Sequence, residues 1–235
     1  MLFKEKLTIT ESGFEAHKDV FNKIIDATLS DLEKNCINIG DGKTAEVKIL
    51  KEKNSICLKI VDSLKAKKNE VFLKNNVNEE IEFLDKLSDT NFLDSIGITK
   101  KMAPQPMFSR QDSRYGSLFL ERIKGFTIED LLKDNLFDKL PNGFDWNVYF
   151  SKLEDIVSKL NKAKIFHRDF HEGNIFIDET GEPIIIDFGD AYESFLADED
   201  PYREELPDGN TIIYKSDMEN LKEIKEKIFE IINNR

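Results

Sequence analysis

The run His167-Arg168-Asp169-Phe170-His171-Glu172-Gly173-Asn174 sets six polar side chains in eight positions, and its neighbours restrict how it can be held. Before it, Trp146, Tyr149, Phe150, Leu153, Ile156, Val157 and Leu160 recur on one stripe, which predicts a long amphipathic helix. After it, Ile175 to Asp178 and Pro183 to Asp187 flank Glu179-Thr180-Gly181, the pattern of a hairpin. A hairpin brings its two ends together, so Asn174 and Asp187 are expected at one strand end. Asp187 opens Asp187-Phe188-Gly189, eighteen residues after Asp169 and directly after the buried-strand run Ile184-Ile185-Ile186. A lone Asp in a loop is ordinarily a turn former; an ordered series of them at a helix end and a hairpin end is not.

Upstream, Ser12-x-x-Glu15 is a capping box, and Val20, Phe21, Ile24, Ile25, Leu29 and Leu32 continue at helical spacing to about Lys34. Cys36 to Ile39, Ala45 to Leu50 and Ser55 to Val61 then predict an antiparallel meander, with Gly40 and Gly42 in its first turn. Asn69 to Leu87 carries Val77, Ile81, Leu84 and Leu87 on one helical face, and Asp89 to Gln105 reads as an irregular connection. Pro106 to Ser109 and Leu118 to Ile123 are two further strands about a polar turn, completing a five-stranded sheet. From Gly125 helices dominate: Ile128 to Lys133, the long helix, and a last one capped by Ser216-x-x-Glu219. The expected class is α+β.

With 40% hydrophobic residues the chain can bury a core, and its 46 acidic against 34 basic residues disfavour nucleic acid and anionic membrane surfaces as partners. A phosphate site in such a chain has to be built locally, from backbone N–H groups, a positioned Lys and metal ions. Cys36 and Cys57 lie in apolar runs without metal-ligand spacing and are expected reduced and buried. Met1 to Thr10, interrupted by Lys4, Glu5 and Lys6, does not form a signal-peptide core, and no run approaches a membrane span. The expected location is cytoplasmic, or a host cell reached without a cleavable signal.

His167-Arg168-Asp169 with Asn174, followed by Asp187-Phe188-Gly189, resembles the catalytic loop and metal-binding triplet of protein kinases. The resemblance spans about Asn35 to Asp190 and is to the protein-kinase-like superfamily. It implies a two-lobed fold: a helical extension over 1–34, a small lobe over 35–122 with the five-stranded sheet and one main helix, and an abbreviated, mostly helical lobe over 123–235. It implies ATP as phosphoryl donor, Mg²⁺ held by Asn174 and Asp187, and Asp169 as the group that takes the proton of the attacking hydroxyl.

Ile39-Gly40-Asp41-Gly42-Lys43-Thr44-Ala45-Glu46-Val47 looks like the glycine-rich loop, with Ala45 where the third glycine usually stands; alone it would read as an ordinary hairpin turn. Ile56-Cys57-Leu58-Lys59 resembles the V-A-I-K strand, which implies Lys59 on the α/β-phosphates and Cys57 above adenine. Glu80 is the implied partner of Lys59. It lies three residues after Val77 and four before Leu84 and so faces inward, with Glu70, Glu79 and Glu82 as neighbouring alternatives. Leu118 to Gly125 looks like the hinge, where backbone groups of Glu121 and Ile123 would bond adenine. Phe176 would form the floor under that base, with Ile39 and Val47 above it; ordinary core packing is the competing reading for these three.

The chain departs from the family in two places. After Gly189 there is no Ala-Pro-Glu and only a short remainder, so the peptide platform is expected to be missing or abbreviated. His171 stands where protein Ser/Thr kinases generally carry Lys, and His there is common in aminoglycoside and choline kinase relatives. It fits either a contact with phosphate or acceptor or a packing role within the loop. In size the chain is similar to minimal kinases that pathogenic bacteria inject into host cells, some of which need a host partner. A protein serine/threonine kinase with a protein substrate and an activating host protein is the leading expectation; a small-molecule kinase and a partner-binding pseudokinase are the alternatives. Tyr192, Ser194, Tyr202 and Thr211 lie in a predicted loop and are candidate modification sites.

Overall fold

The computed structural model describes residues 6–9, 34–41, 45–51, 55–62, 77–111, 115–194, 200–205, 209 and 211–234. The expected helix from Ser12 to Lys34, the Gly42 end of the glycine-containing turn and the first half of the Asn69–Leu87 helix lie outside the described residues. The chain divides into two compact units. One holds the described residues up to Asp89 together with Pro104–Ile123; the other holds Thr90–Ala103 and the chain from Lys124 onward.

The first unit is one antiparallel sheet with a helix. Its strands are β1 (Lys6–Ile9), β2 (Cys36–Asp41), β3 (Ala45–Leu50), β4 (Ile56–Asp62), β5 (Pro106–Gln111) and β6 (Tyr115–Glu121), in the order β1-β5-β6-β4-β3-β2. The five expected strands are present, and β1 adds a sixth by pairing with β5, Lys6 opposite Gln111 and Ile9 opposite Phe108. β4 lies in the interior of the sheet, and Ile56, Leu58, Lys59, Ile60 and Val61 along it are buried. Phe108 of β5 and Phe119 of β6 are register partners whose rings stack at 4.1 Å, an aromatic cross-strand pair that fixes this hairpin.

Helix α1 (Val77–Lys86) buries Val77, Ile81 and Leu84. Its first turn approaches β6 so closely that a methyl group on Gly116 would sit 2.8 Å from a Val77 methyl. Both cysteines are free; Cys36 is buried, but Cys57 is half-buried, because its place on β4 leaves one side open.

The second unit begins with α2 (Thr90–Ser95), where an irregular connection was expected. This short helix forms because Leu93, Ile98 and Met102 are buried together in this stretch, and Gly97, at φ 77°, ends it. Strands β7 (Gly125–Thr127), β9 (Ile175–Asp178) and β10 (Pro183–Ile185) make a three-stranded sheet with β9 in the middle. Helix α3 (Ile128–Asp134) opens with a reciprocal Thr127–Asp130 capping box.

Helix α4 (Trp146–Lys162) is capped by Asp145 and buries Tyr149, Phe150, Leu153, Val157 and Leu160. Trp146 meets Phe137, Phe144, Tyr149 and Phe150 in an aromatic cluster, which Phe150 extends to Phe229. Phe229 belongs to α5 (Asp217–Asn233), which buries Leu221, Ile224 and Ile228. Two small ladders complete the unit: β8 (Ile165–Phe166) with β11 (Tyr192–Glu193), and β12 (Arg203–Glu205) with β13 (Thr211–Ile213).

Gly125 is where the β7 backbone crosses closest to β9. It has φ 139°, and a Cβ there would stand 2.1 Å from the Ile177 carbonyl oxygen and 2.9 Å from Asp178 Cα. Backbone strain and overlap with unyielding backbone atoms then act together, so Gly125→Ala should destabilise the fold by roughly 2–4 kcal/mol in urea unfolding. Gly143, at φ 76° but with nothing within 4 Å of an added Cβ, is the comparison. Gly143→Ala should cost only about 1 kcal/mol, the backbone term alone.

Candidate active site

In the first unit, Lys59 and Glu80 form a buried ion pair. Nζ of Lys59 donates to both carboxylate oxygens of Glu80, at 3.0 and 2.8 Å, with the side chains 8% and 2% exposed. Period and register explain the meeting. Glu80 shares the α1 stripe with Val77, Ile81 and Leu84, whereas Glu79 and Glu82 are exposed, and Glu70 lies outside the described residues. Desolvating two charges costs several kcal/mol each, and apolar residues of similar size would often pack at least as stably in their place. A paired charge kept in a sheet interior is therefore a candidate for function.

Around it, Ile39 of β2 is 51% exposed, Val47 of β3 is half-buried, and Gly40 sits at a register shift between β2 and β3. Burial pushes the Cys57 thiol up to about 11, opposed by the Arg122 charge, so it stays protonated. The Glu121 N–H is taken by the Gln105 carbonyl at 2.9 Å, and Ile123, half-buried, ends the unit.

In the second unit, the eight-residue run leaves β8 and closes as a short 3-10 turn, Glu172–Asn174. The Asn174 amide nitrogen donates to the Asp169 carbonyl at 2.8 Å and to the Asp169 carboxylate at 3.2 Å, so one side chain fixes both backbone and head group of Asp169. Both amide donors are thus turned toward Asp169, and the amide oxygen is left as the acceptor end. His171 Nδ1 accepts the Gly173 N–H at 3.0 Å, which puts the ring proton on Nε2, 3.6 Å from Asp169 Oδ2. His171 is the largest influence holding the Asp169 carboxyl below its ordinary range, with His167 and the Asn174 amide adding to it against partial desolvation. At 3.6 Å the attraction is electrostatic, longer than a good hydrogen bond. Asp169 in turn raises the His171 ring above its ordinary value.

Asp187 is brought to the same end by the hairpin. Ile175 pairs with Ile185, and beyond that pair the Ile186 N–H donates to the Asn174 carbonyl at 3.0 Å. Asp187 follows with φ 61° and Phe188 is buried against the His167 ring, 4.8 Å between centroids. His167 Nε2 donates to the Ile186 carbonyl at 2.9 Å, joining the start of the run to the end of the hairpin. Phe176 is half-buried on β9, and its carbonyl accepts the Tyr149 hydroxyl at 3.0 Å.

Two carboxylates that sequence reasoning did not mark, Asp217 and Glu204, help hold this arrangement. Asp217, 2% exposed in the first turn of α5, accepts the His167 N–H at 2.9 Å and the Arg168 N–H at 3.0 Å. Its only signal in the sequence was an acid at a capped helix start, which ordinarily serves the helix dipole. Arg168, at φ 66°, directs its buried guanidinium to the Pro201 carbonyl, to Glu204 and over the Tyr192 ring. Glu204 had no sequence signal, and Tyr192 stood out only as a loop hydroxyl. Of the other candidate modification sites, Ser194 is buried, Tyr202 is half-buried with its hydroxyl accepting the Asp217 N–H, and Thr211 is exposed.

Among the described residues, no helix is long and apolar enough to cross a membrane. A probable serine/threonine-protein kinase of Dictyostelium discoideum is 22% identical over 157 residues, 62% of this chain, and the match covers 24% of that protein's length. Residues 34–200 match the protein kinase domain, a span that holds Lys59, Glu80, Asp169, Asn174 and Asp187 together. The chain belongs to the protein kinase domain family.

Proposed function

We propose that this chain transfers the γ-phosphoryl group of Mg-ATP to a serine or threonine hydroxyl of a protein. The carrying observation is the double hold of the Asn174 amide on Asp169, which fixes both the backbone and the head group of a carboxylate. The kinase domain match and the Dictyostelium relative support the same reading. In this reading residues 35–122 form the lobe that binds nucleotide and 123–235 the lobe that carries the base.

Among the described residues no cluster of three His, Cys, Asp or Glu side chains is placed to hold a metal ion. Mg²⁺ takes one or two protein oxygens and completes its shell with substrate phosphates and water, a demand that the Asn174 amide oxygen and the Asp187 carboxylate suit. Asn174, with its amide nitrogen committed to Asp169, would offer its carbonyl oxygen, and Asp187 a carboxylate. When bound, the ion supplies charge neutralisation on the phosphate oxygens.

The chain's own groups supply the rest. Lys59 offers an ammonium to the α/β-phosphates, and Glu80 keeps it from turning away. Cys57 contributes a small neutral side chain beside the adenine, and Ile39, Val47 and Phe176 its apolar contacts. Asp169 accepts a hydrogen bond from the attacking hydroxyl and takes its proton as the oxygen bonds to the γ-phosphorus and the bond to ADP breaks. Since its carboxyl is held below the ordinary range, Asp169 is a weak base that is always ionised at neutral pH. Its main service is orientation.

Purified protein with Mg-ATP should label protein serine or threonine, and Asp169→Asn should lower the turnover number by about 10²- to 10⁴-fold while Mg-ATP still raises the melting temperature. Labelling of a small alcohol but of no protein would reject the protein-kinase reading. Lys59→Met should abolish Mg-ATP stabilisation and also destabilise the apoprotein by about 3–5 kcal/mol, because it strands the Glu80 carboxylate in the core. Adding Glu80→Leu should recover most of that stability in urea unfolding but none of the activity. Full recovery of both would remove Lys59 from the site.

A further inference from the structure

The Arg168 side chain is 4% exposed, and a guanidinium keeps its charge whatever surrounds it, so it must find compensation inside the protein. Among the described residues all of that compensation comes from one stretch, residues 192–214. The Tyr192 ring lies under the guanidinium at 3.9 Å and the Tyr214 ring at 5.1 Å; Nε donates to the Pro201 carbonyl at 2.5 Å. Among the described residues, the one carboxylate beside it is Glu204, with Oε2 3.8 Å from Nη1.

Glu204 is itself fixed. Its backbone lies in the β12–β13 ladder opposite Ile212, its side chain is 13% exposed, and Oε2 accepts the Tyr214 hydroxyl at 3.1 Å. The backbone of Arg168 is also constrained. It stands at φ 66°, a left-handed conformation that a side chain with a Cβ adopts only when its surroundings enforce it, and its N–H is bound to Asp217. Asp169 is the next residue in the chain, so its place depends on Arg168 staying where it is.

We propose that Glu204 is a positioning residue for Asp169, acting through Arg168. The consequence for turnover rests on the kinase reading; the consequence for loop order does not. With the carboxylate neutralised, the buried guanidinium would keep, among the described residues, only aromatic faces and one carbonyl. It would then move toward solvent and release the left-handed turn that presents Asp169. Glu205, in the same strand but 76% exposed and paired with Arg203, has no such role.

The test uses the full chain as wild type, Glu204→Gln, Glu204→Asp, Tyr214→Phe and Glu205→Gln, with two readouts: hydrogen exchange followed by mass spectrometry, and phosphoryl transfer from Mg-ATP. Glu204→Gln should speed exchange over residues 165–174 by about 10-fold or more with α4 unchanged, as expected of local opening. It should lower kcat by about 10- to 100-fold at a KM for Mg-ATP within about twofold of wild type, the signature of a misplaced group. Glu204→Asp should recover much of both effects, and Glu205→Gln should match wild type.

Wild-type exchange over 165–174 in Glu204→Gln overturns the proposal, and so does an increase shared equally by α4, which would mark Glu204 as merely structural. If Glu204→Gln does not fold, Tyr214→Phe decides: about 3-fold faster exchange confined to the loop supports the proposal, and wild-type exchange overturns it. A wild type that transfers no phosphoryl group defeats the kinase reading alone, and the exchange measurements still decide the role of Glu204.

Discussion

One carboxylate, Asp217, carries the arrangement of the candidate site. Residues 167–170 lie between a two-residue strand and a 3-10 turn, so their amides have no ladder to enter. A buried N–H without an acceptor is costly, and Asp217 meets two consecutive ones with its two oxygens. Its own position is secured by α5, whose Leu221, Ile224 and Ile228 are buried and whose Phe229 reaches Phe150 of α4. Helix α4 ends at Lys162, just before the loop, so the loop is held covalently by one helix and electrostatically by the other. Lys227 of α5, 2.7 Å from Glu172, gives a second attachment on the far side of Asp169.

The two cations buried among the described residues, Lys59 and Arg168, show how similar costs lead to different uses. The Lys59 ammonium is a point charge held by both oxygens of one carboxylate, and in the proposed kinase reading it serves a phosphate while keeping that partner. The Arg168 guanidinium, 4% exposed, is spread over a carbonyl, a carboxylate and two aromatic faces, so its charge is compensated inside the unit rather than offered outward. Lys59 thus suits binding and Arg168 suits support. In a chain of net charge −12 acidic groups are plentiful, so what distinguishes Glu80 and Glu204 is the buried cation each one meets, rather than identity.

The parts of the site that were legible in the sequence are those with local periodicity. Glu80 could be separated from Glu79 and Glu82 because helical spacing ties it to Val77 and Leu84. Asn174 and Asp187 could be joined because a hairpin lies between them. Asp217 and Glu204 act on residues about 50 and 36 positions away, and no short-range pattern encodes a contact of that separation. β1 was missed for another reason: Lys6-Leu7-Thr8-Ile9 alternates, but four residues of alternation do not stand out from background, and only its pairing with β5 makes it a strand. α2 is too short for period analysis and owes its form to what it buries.

The geometry of the two residues assigned as metal ligands is set by a turn at the opposite end of their hairpin. β9 and β10 share three register pairs, and Asn174 and Ile186 lie one step beyond the last of them. A one-residue slip would turn the side chains of β10 to the other face and move Asp187 by one position against Asn174. Three pairs alone are too few to prevent it. The turn supplies the missing specificity: Asp178 Oδ1 accepts from the Thr180 N–H, the Thr180 hydroxyl and the Glu182 N–H at 2.7–2.8 Å, and Gly181 takes the left-handed φ of 85° that this tight reversal needs. Glu182, in turn, is fixed by Lys100 and Lys152, at 2.6 and 2.9 Å. Side chains of the turn therefore determine which residue of β10's exit stands beside Asn174, and the turn residues are as much part of the site's construction as the carboxylates it presents.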